Sequence, residues 1–315
     1  MPPGAIPRLV TRGSGMLTKG VHPLIKAVFR GSLMGDLVHQ FDWYQASVPT
    51  HHEAIIAQLL ANMPEGTKRA NANGFNSFKH RADLHTEDGE ILATVMHGGV
   101  NPHPNVKASG DNAPALAGVL RHCFPQHRVS RVDIAIDMRG DGLFDDVVRL
   151  MSATGRTYRL KGEKIIPDDL DDGSTYYLGS RASPLRVRCY EKGKQLHKFT
   201  GDPVWRLFYD WTRLELQVRP EKTFKDVAAT MAEDAFWGCA AWTRDLAQGA
   251  LAMNPEPVTM KPTRIADHER AMRALTAQYG ATILRQVAKL GGWEAFNEDL
   301  QRRLGVGIEE VDEAA

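Results

Sequence analysis

Two patterns of apolar residues alternate along the first 220 positions. Apolar side chains recur at helical spacing in residues 51–63, 112–124 and 143–153. Runs rich in β-branched and aromatic residues predict strands at residues 41–49, 90–99, 128–138, 157–166, 174–181, 185–192 and 211–219. Because helices separate only the early strands and strand then follows strand, we predict an α+β fold, with a mostly antiparallel sheet and helices packed on one face.

The pattern becomes helical after Pro220, and both ends of the chain differ from the rest. Segments beyond that proline carry apolar residues at helical spacing, separated by breaks rich in proline and glycine. The first 38 residues hold five arginines and lysines against one acid, whereas the end of the chain is acidic. We therefore predict four parts: a basic flexible arm (1–38), an α+β domain (39–222), a helical C-terminal region (223–306) and an acidic tail (307–315).

Composition limits the classes of function. The 315 residues carry a net charge of +1, so a nucleic-acid site has to come from local clustering of cations. The stretch 181–198 is such a cluster, with six Arg or Lys and one acid. Three widely separated cysteines fit neither a disulfide framework nor a zinc knuckle and predict reduced thiols. We expect neither a membrane span nor a signal peptide, because no apolar segment suits either.

Three of the predicted strands share a charged face. Apolar residues alternate with polar ones in each, which places the polar side chains on the same side of the strand. These residues are Arg131, Asp133 and Asp137 in one strand, Arg213, Glu215 and Gln217 in the second, and Arg186, Arg188, Tyr190 and Lys192 in the third. A solvated face of an antiparallel sheet shows the same alternation. Asp, Glu, Tyr and Arg together are, however, the side chains of a metal-assisted phosphate site.

A tyrosine among cations suits attack on a phosphate. Carboxylates hold Mg²⁺ or Mn²⁺, and the cation polarises a phosphoryl oxygen. A tyrosine hydroxyl can be the nucleophile, but its ordinary pKa of about 10 disfavours the phenolate at neutral pH. Arg188 and Lys192, two residues either side of Tyr190, predict a lowered pKa for that hydroxyl. The alternative is an interface tyrosine bordered by solvated cations, and the spacing alone does not decide between the two.

A family resemblance rests on four ordered blocks of sequence. The blocks lie in "SRVDIAID", "GSTYYLGSRASPLRVRCYEKGKQ" and "DWTRLELQVRP", the second of which holds two. They follow the pattern R-x-D-x-A-x-D, G-x-T-x-Y-x-G-S-R-x-S, R-x-Y-x-K and W-x-R-x-E. In this order and spacing they resemble the replication initiation factors of rolling-circle plasmids and filamentous-type phages. The resemblance extends over residues 41–300.

The resemblance implies an origin-specific nickase, with residues 39–222 as its nicking domain. Such a protein binds a double-stranded origin, exposes single-stranded DNA and cuts one strand by attack of a tyrosine on a phosphodiester. The products are a 5′-phosphotyrosyl protein and a 3′-OH primer. On this chain the implied catalytic residues are Tyr190, Lys192 and Arg188, and the implied ligands of Mg²⁺ or Mn²⁺ are Asp133, Asp137 and Glu215. Which of these carboxylates touch the metal stays open.

Other assignments follow from the same resemblance and from charge. The predicted DNA contacts are Arg181, Arg186, Lys194, Lys198 and Arg213. Tyr176 and Tyr177 are the next candidates for the nucleophile, and one of this adjacent pair should pack while the other faces out. His97, at a strand end, is a further possible ligand, because the chain lacks the His-hydrophobe-His motif of many rolling-circle initiators.

The implied partners are double-stranded origin DNA and single-stranded DNA, a host helicase and polymerase, and a second copy of the chain in a homodimer. The expected compartment is the cytoplasm of a bacterial host. Two other functions compete with the tyrosine nickase. One is a two-metal nuclease that uses the carboxylates and a water nucleophile. The other is a non-catalytic DNA-binding regulator on the same fold.

Overall fold

This computed structural model describes residues 38–258 and 267–305. Apart from Val38, the predicted basic arm lies outside these residues, as does the predicted acidic tail. Contacts between Cα atoms divide the chain into residues 1–261 and residues 262–315. The predicted helical C-terminal region is therefore shared between two units. Within the described ranges, no helix combines the length and the apolar character needed to cross a membrane.

Ten strands of the described residues form one sheet, in which every neighbouring pair is antiparallel. The strands are β1 His39–Ser47, β2 Lys68–Asn73, β3 His80–His85, β4 Ile91–His97, β5 Asn105–Ser109, β6 Arg128–Arg139, β7 Gly162–Ile165, β8 Thr175–Leu178, β9 Leu185–Glu191 and β10 Trp211–Val218. Their order in the sheet is β2-β3-β4-β5-β1-β6-β10-β9-β8-β7. The longest strand, β6, lies near the middle.

Eight α-helices accompany the sheet in the described residues. They are α1 His52–Ala61, α2 Ala113–Cys123, α3 Leu143–Thr157, α4 Lys192–Thr200, α5 Phe224–Ala228, α6 Ala241–Leu251, α7 Asp267–Leu290 and α8 Trp293–Leu304. The last two belong to the second unit. The sheet and these helices confirm the predicted α+β class and the helical C-terminal region.

The main core lies between one face of the sheet and the helices α1, α2, α3, α5 and α6. Val132, Ile134 and Ile136 of β6 are fully buried there, as are Leu214 and Leu216 of β10. Burial of each such side chain stabilises the fold by roughly 1.5–3 kcal/mol. Alternation then fixes the other face of the same strands as the polar face, because successive side chains point to opposite sides.

A smaller apolar cluster closes one end of the polar face. The 3₁₀-helix Pro203–Phe208 packs Trp205 and Phe208 against Trp211 of β10. Helix α4 lies against this 3₁₀-helix, and the two meet at Gly193. A Cβ atom on that glycine would lie 1.8 Å from the backbone oxygen of Phe208, so only glycine permits the contact.

The structure departs from the predicted elements in three places. The strands β2, β3 and β5 were not predicted; in β2 all six residues are exposed, and the only apolar ones are two alanines. The predicted strand 185–192 ends at Glu191, and Lys192 begins α4 instead. The predicted strands 157–166 and 174–181 shorten to β7 and β8. The three cysteines are free thiols, as predicted.

Candidate active site on the polar face of the sheet

Strand register brings the predicted site residues together. Glu215 of β10 lies opposite Arg188 of β9, and Arg213 lies opposite Tyr190. On the other side of β10, Arg213 is also opposite Asp137 of β6. The Cβ atoms of residues opposed in this way are about 5 Å apart. The three strands that share a polar pattern in the sequence are thus neighbours, and they build one continuous site.

Arginines hold two of the predicted metal carboxylates. Arg188 Nη2 lies 2.5 Å from Glu215 Oε2. Arg131 donates from Nε and Nη2 to the two carboxylate oxygens of Asp133, at 2.9 and 2.5 Å. Asp133 and Glu215 are only 2% and 5% exposed, so these charges would be costly without their partners.

Arg213 occupies the centre of a larger network. Its Nε and Nη2 atoms donate to the two oxygens of Asp137, both at 2.7 Å, and its Nη1 atom donates to Asp42 Oδ1, also at 2.7 Å. Trp211 Nε1 donates to Asp137 at 2.8 Å. The predicted contact of Arg213 with DNA does not suit this geometry, because the buried guanidinium is already committed to two carboxylates.

Asp42 is a site residue that the sequence pattern missed. A register shift between Phe41 and Trp43 in the pairing of β1 with β6 adds a residue to β1 at this point. Such a β-bulge turns a side chain away from simple alternation, and here Asp42 reaches Arg213. The signal in the sequence is the interval of three between the buried residues Phe41 and Tyr44, where a regular strand has an interval of two.

The carboxyl group of Glu215 has an unusual protonation equilibrium. Burial raises its pKa to about 7; Arg188 opposes this increase, and the negative charges of Asp42 and Asp133 add to it. A carboxyl group with a pKa near neutrality can accept or donate a proton at physiological pH. The region around Glu215 also holds more negative charge than its arginine balances.

Tyr190 lies at the centre of the cations but is buried. Its side chain is 3% exposed, with Arg188 Cζ 4.4 Å and Lys192 Nζ 5.7 Å from the ring centroid. Burial raises the pKa of its hydroxyl, and the positive charges of Arg213 and Arg188 offset only part of the increase. The predicted lowering of this pKa is therefore wrong for the described structure, because loss of water outweighs the field of the cations.

The adjacent tyrosines divide between the two faces, as predicted. Tyr176 is 9% exposed in the main core, where its hydroxyl accepts a hydrogen bond from Ser152 Oγ at 3.2 Å. Tyr177 lies on the polar face, with Arg186 Cζ 3.8 Å from its ring centroid. Arg186 is also 3.6 Å from a carboxylate oxygen of Glu163. Tyr177 is thus the second tyrosine on the face that carries Tyr190.

The other predicted DNA contacts lie beside this face. Arg181 is exposed in the turn between β8 and β9. The two lysines belong to α4, where Lys194 Nζ pairs with Glu191 at 2.8 Å and Lys198 Nζ with Asp172 at 2.6 Å. These three side chains remain predicted DNA contacts. A phosphate that binds either lysine would have to replace its acidic partner.

The strands of this face coincide with the result of a family comparison. A family model matches residues 127–243, a segment that carries β6, β9 and β10. The family is that of the replication initiation factors. This match confirms the resemblance for the strands that build the site. No curated protein matches the chain in a sequence search.

Comparison of structures finds a similar initiator. The chain is similar to the rolling circle replication initiator protein from Geobacillus stearothermophilus, with a TM-score of 0.47 and 15% sequence identity. The similarity covers 72% of this chain and 100% of that one.

The metal implied by the resemblance to replication initiation factors can be tested against the donor set. Within residues 38–258 and 267–305, no three His, Cys, Asp or Glu side chains are grouped to hold a metal ion. Mg²⁺ usually takes only one or two carboxylates, with waters and substrate phosphates completing its shell. Asp42 and Asp133 supply such oxygens beside the buried Glu215. Asp137 lies four residues from Asp133 on β6, about 13 Å along the strand. The oxygens of Asp42 and Asp133 are of the type that Mg²⁺ or Mn²⁺ binds, but Arg213 and Arg131 hold these carboxylates, so a bound ion would have to compete with the arginines.

His97 does not join these carboxylates. It ends β4, which β5 and β1 separate from β6. Its ring stacks on that of His52 at a centroid distance of 3.6 Å and lies 5.3 Å from that of His80. The histidine predicted as a further metal ligand is part of a separate group of rings.

Proposed function

We propose that the protein initiates rolling-circle replication by nicking one DNA strand at an origin, with Tyr190 as the nucleophile. The observation that carries the proposal is the meeting of Tyr190, Arg188 and Glu215 on one face, within the segment that matches the replication initiation factors. A tyrosine, a cation for phosphate charge and a carboxyl group that titrates near neutrality are the groups that this reaction needs.

In the proposed step, the Tyr190 hydroxyl oxygen attacks the phosphorus of the scissile phosphodiester. A bond forms between that oxygen and phosphorus, and the bond from phosphorus to the 3′ oxygen breaks. The phenolic proton passes to Glu215, whose pKa of about 7 suits an acceptor. The departing 3′ oxygen takes a proton from water and becomes the 3′-OH. The other end of the strand stays on the enzyme as a 5′-phosphotyrosine.

The remaining residues support this step. We assign Arg188 and Lys192, both beside the Tyr190 ring, to the negative charge of the phosphate. Arg213 positions Asp42 and Asp137 rather than DNA. When bound by Asp42 and Asp133, Mg²⁺ or Mn²⁺ would neutralise charge on the scissile phosphate. The predicted set of Asp133, Asp137 and Glu215 is thereby revised: Asp137 holds Arg213, and Glu215 accepts the proton.

The 3′-OH would prime a host polymerase while a helicase separates the strands. A second transesterification, in which a 3′-OH attacks the phosphotyrosine, would release Tyr190 and rejoin the displaced strand. The predicted homodimer would bring two copies of the site to one origin.

The test is incubation of the full chain with Mg²⁺ or Mn²⁺ and labelled single-stranded DNA that contains the origin nick site. We expect a protein-linked DNA band on a denaturing gel, lost in Tyr190→Phe and retained in Tyr177→Phe. Tyr177→Phe is the matched control, since that tyrosine lies on the same face. An adduct that survives Tyr190→Phe would exclude Tyr190 as the nucleophile.

Two outcomes would favour the competing functions. Free cut ends without an adduct, kept in Tyr190→Phe and lost in Asp133→Asn, would indicate a nuclease with a water nucleophile. DNA binding without cleavage under either metal would indicate a non-catalytic regulator. The pairing of Glu215 and Asp133 with arginines is the observation that favours this second alternative.

A further inference from the structure

A second group of side chains lies on the polar face, away from Tyr190, and we call it the aromatic patch. It consists of two rings and the cations that cover them: Trp43, Phe75, Arg81, Lys107 and Arg131. Lys107 Nζ lies 5.1 Å from the Trp43 centroid and 4.9 Å from that of Phe75. Arg131 Cζ lies 4.4 Å from the Trp43 centroid, and Arg81 Cζ lies 5.9 Å from that of Phe75. None of the assigned roles in nicking uses Trp43, Phe75 or Lys107.

Lys107 is the unusual member of the patch. Arg131 and Arg81 pair with Asp133 and Asp83, whereas Lys107 forms no ion pair with any residue that the structure describes. Burial lowers the pKa of its ammonium group. Its ammonium is therefore a partly desolvated cation held between two rings, and an anion at this place would stabilise it.

The loop that carries Phe75 is fixed rather than loose. Gly74 N donates to Lys79 O at 3.0 Å, and Lys79 N donates to Gly98 O at 3.3 Å. A Cβ on Gly74 would lie 2.3 Å from the backbone oxygen of Phe78, so the tight closure of the loop requires glycine. The half-buried ring is thus presented at a defined position beside the sheet.

The patch is continuous with the candidate active site. Trp43 of β1 lies directly opposite Asp133 of β6, and Lys107 lies on β5, the next strand out. From β5 to β9, which carries Tyr190, there are four strand spacings, or about 19 Å, across the sheet. Along β6, Lys107 is level with Arg131 and Tyr190 is level with Asp137, six residues or about 20 Å further on, so the two groups are roughly 28 Å apart. This distance suits a few nucleotides of a strand whose scissile phosphate lies at Tyr190.

We propose that the aromatic patch binds single-stranded DNA next to the cleavage site, with unpaired bases stacked on Trp43 and Phe75. Lys107 occupies the space between the rings in the unbound protein and moves to a backbone phosphate when a base enters. Aromatic rings interleaved with cations bind single strands in this way, because every base has a face that can stack. A duplex keeps its bases inside and offers no such face. The proposal rests on the proposed function for the position of the scissile phosphate.

The test measures binding without cleavage, in full-length protein that carries Tyr190→Phe. Fluorescence anisotropy is recorded with a labelled 20-nucleotide oligo(dT) and with a duplex of equal length. We expect preference for the single strand, and Phe75→Ala should weaken binding roughly 5- to 150-fold, as for loss of a stacked base. Lys107→Met should reduce the slope of log K against log salt by about 0.7, the value for one phosphate contact on a single strand. Tyr158→Ala and Lys225→Met, outside the polar face, are the matched controls and should bind as the parent does.

A second measurement does not depend on substitutions in the patch, so it remains valid if those variants fail to fold. Ultraviolet crosslinking of 5-iododeoxyuridine oligonucleotides should attach DNA to peptides that contain Trp43 or Phe75. Crosslinks confined to other peptides, or equal binding by Phe75→Ala and its parent, would overturn the patch even if nicking by Tyr190 is found. If single strands crosslink to the patch but no nicking occurs, the patch stands and the proposed function fails.

Discussion

The two halves of the polar face are held together by different forces. Around Tyr190, buried arginines and carboxylates pair in fixed geometry, and Arg213 alone joins Asp42 and Asp137. Around Trp43, the central cation is Lys107, which no carboxylate of the described residues holds. Breaking a buried ion pair leaves an uncompensated charge, whereas removing a cation from a ring leaves none. The first half is therefore built for positional precision and the second for exchange with a ligand.

The largest effect should come from breaking the central pair. Arg213→Met leaves the charges of Asp42 and Asp137 without their partner, and we expect a loss of about 3–5 kcal/mol in the free energy of unfolding. Urea denaturation followed by circular dichroism measures it. Arg181→Met, at an exposed position of the same region, should change stability by less than about 0.5 kcal/mol. Equal stability of the two variants would show that the ion pairs around Tyr190 do not stabilise the fold, and the contrast with the aromatic patch would then be wrong.

The next effect depends on pH. The pKa of Glu215 is raised from 4.5 to about 7, so the folded state holds this proton more tightly than the unfolded state does. The contribution of Glu215 to stability is therefore complete below about pH 4.5 and falls as pH rises to about 7, by roughly 3 kcal/mol at most.

Glu215→Gln removes this titration. The free energy of unfolding of the variant, relative to the parent, should increase between about pH 4.5 and 7 and then level off. Urea denaturation of both proteins across this range gives the difference. Curves that stay parallel throughout would show that Glu215 titrates normally and would weaken its role as a proton acceptor.

The smallest effect should be at the aromatic patch. Lys107→Met replaces a desolvated cation with an apolar side chain of similar length, so stability should change by no more than about 0.5 kcal/mol. Arg131→Met is the sharper comparison, since both side chains cover Trp43 but only Arg131 is paired with a buried carboxylate. The arginine variant should melt at a clearly lower temperature. If Lys107→Met unfolds at the same lowered temperature as Arg131→Met, Lys107 stabilises the fold. It would then not be free to leave the rings when a ligand binds.

The sequence predicted which face of the sheet a side chain lies on better than it predicted how deeply that side chain is buried. Alternation in β6, β9 and β10 is a local property, and it correctly placed Asp133, Tyr190 and Glu215 on one side of the sheet. Which strands become neighbours depends on distant parts of the chain, and only the order of family blocks pointed to their meeting. Burial of Tyr190 depends on packing from several elements, so the direction of its pKa shift was predicted wrongly.

Local irregularities account for other misses. The bulge at Asp42 breaks the period of two, so alternation alone did not place this carboxylate on the polar face. In the sequence, Lys192 continues the polar alternation of β9, but in the structure α4 begins at that residue. The β2 strand has only two alanines as apolar residues, and it lies at the sheet edge with every side chain exposed.

Gly193 has a consequence for anyone who redesigns this segment. Residues on the exposed side of α4 can be varied without disturbing the packing, because they meet solvent. Position 193 has no such freedom, since the backbone oxygen of Phe208 fills the volume of any side chain there. In a library randomised over residues 186–195, selection for folding alone should return glycine at this position, even in clones that lack Arg188, Tyr190 and Lys192.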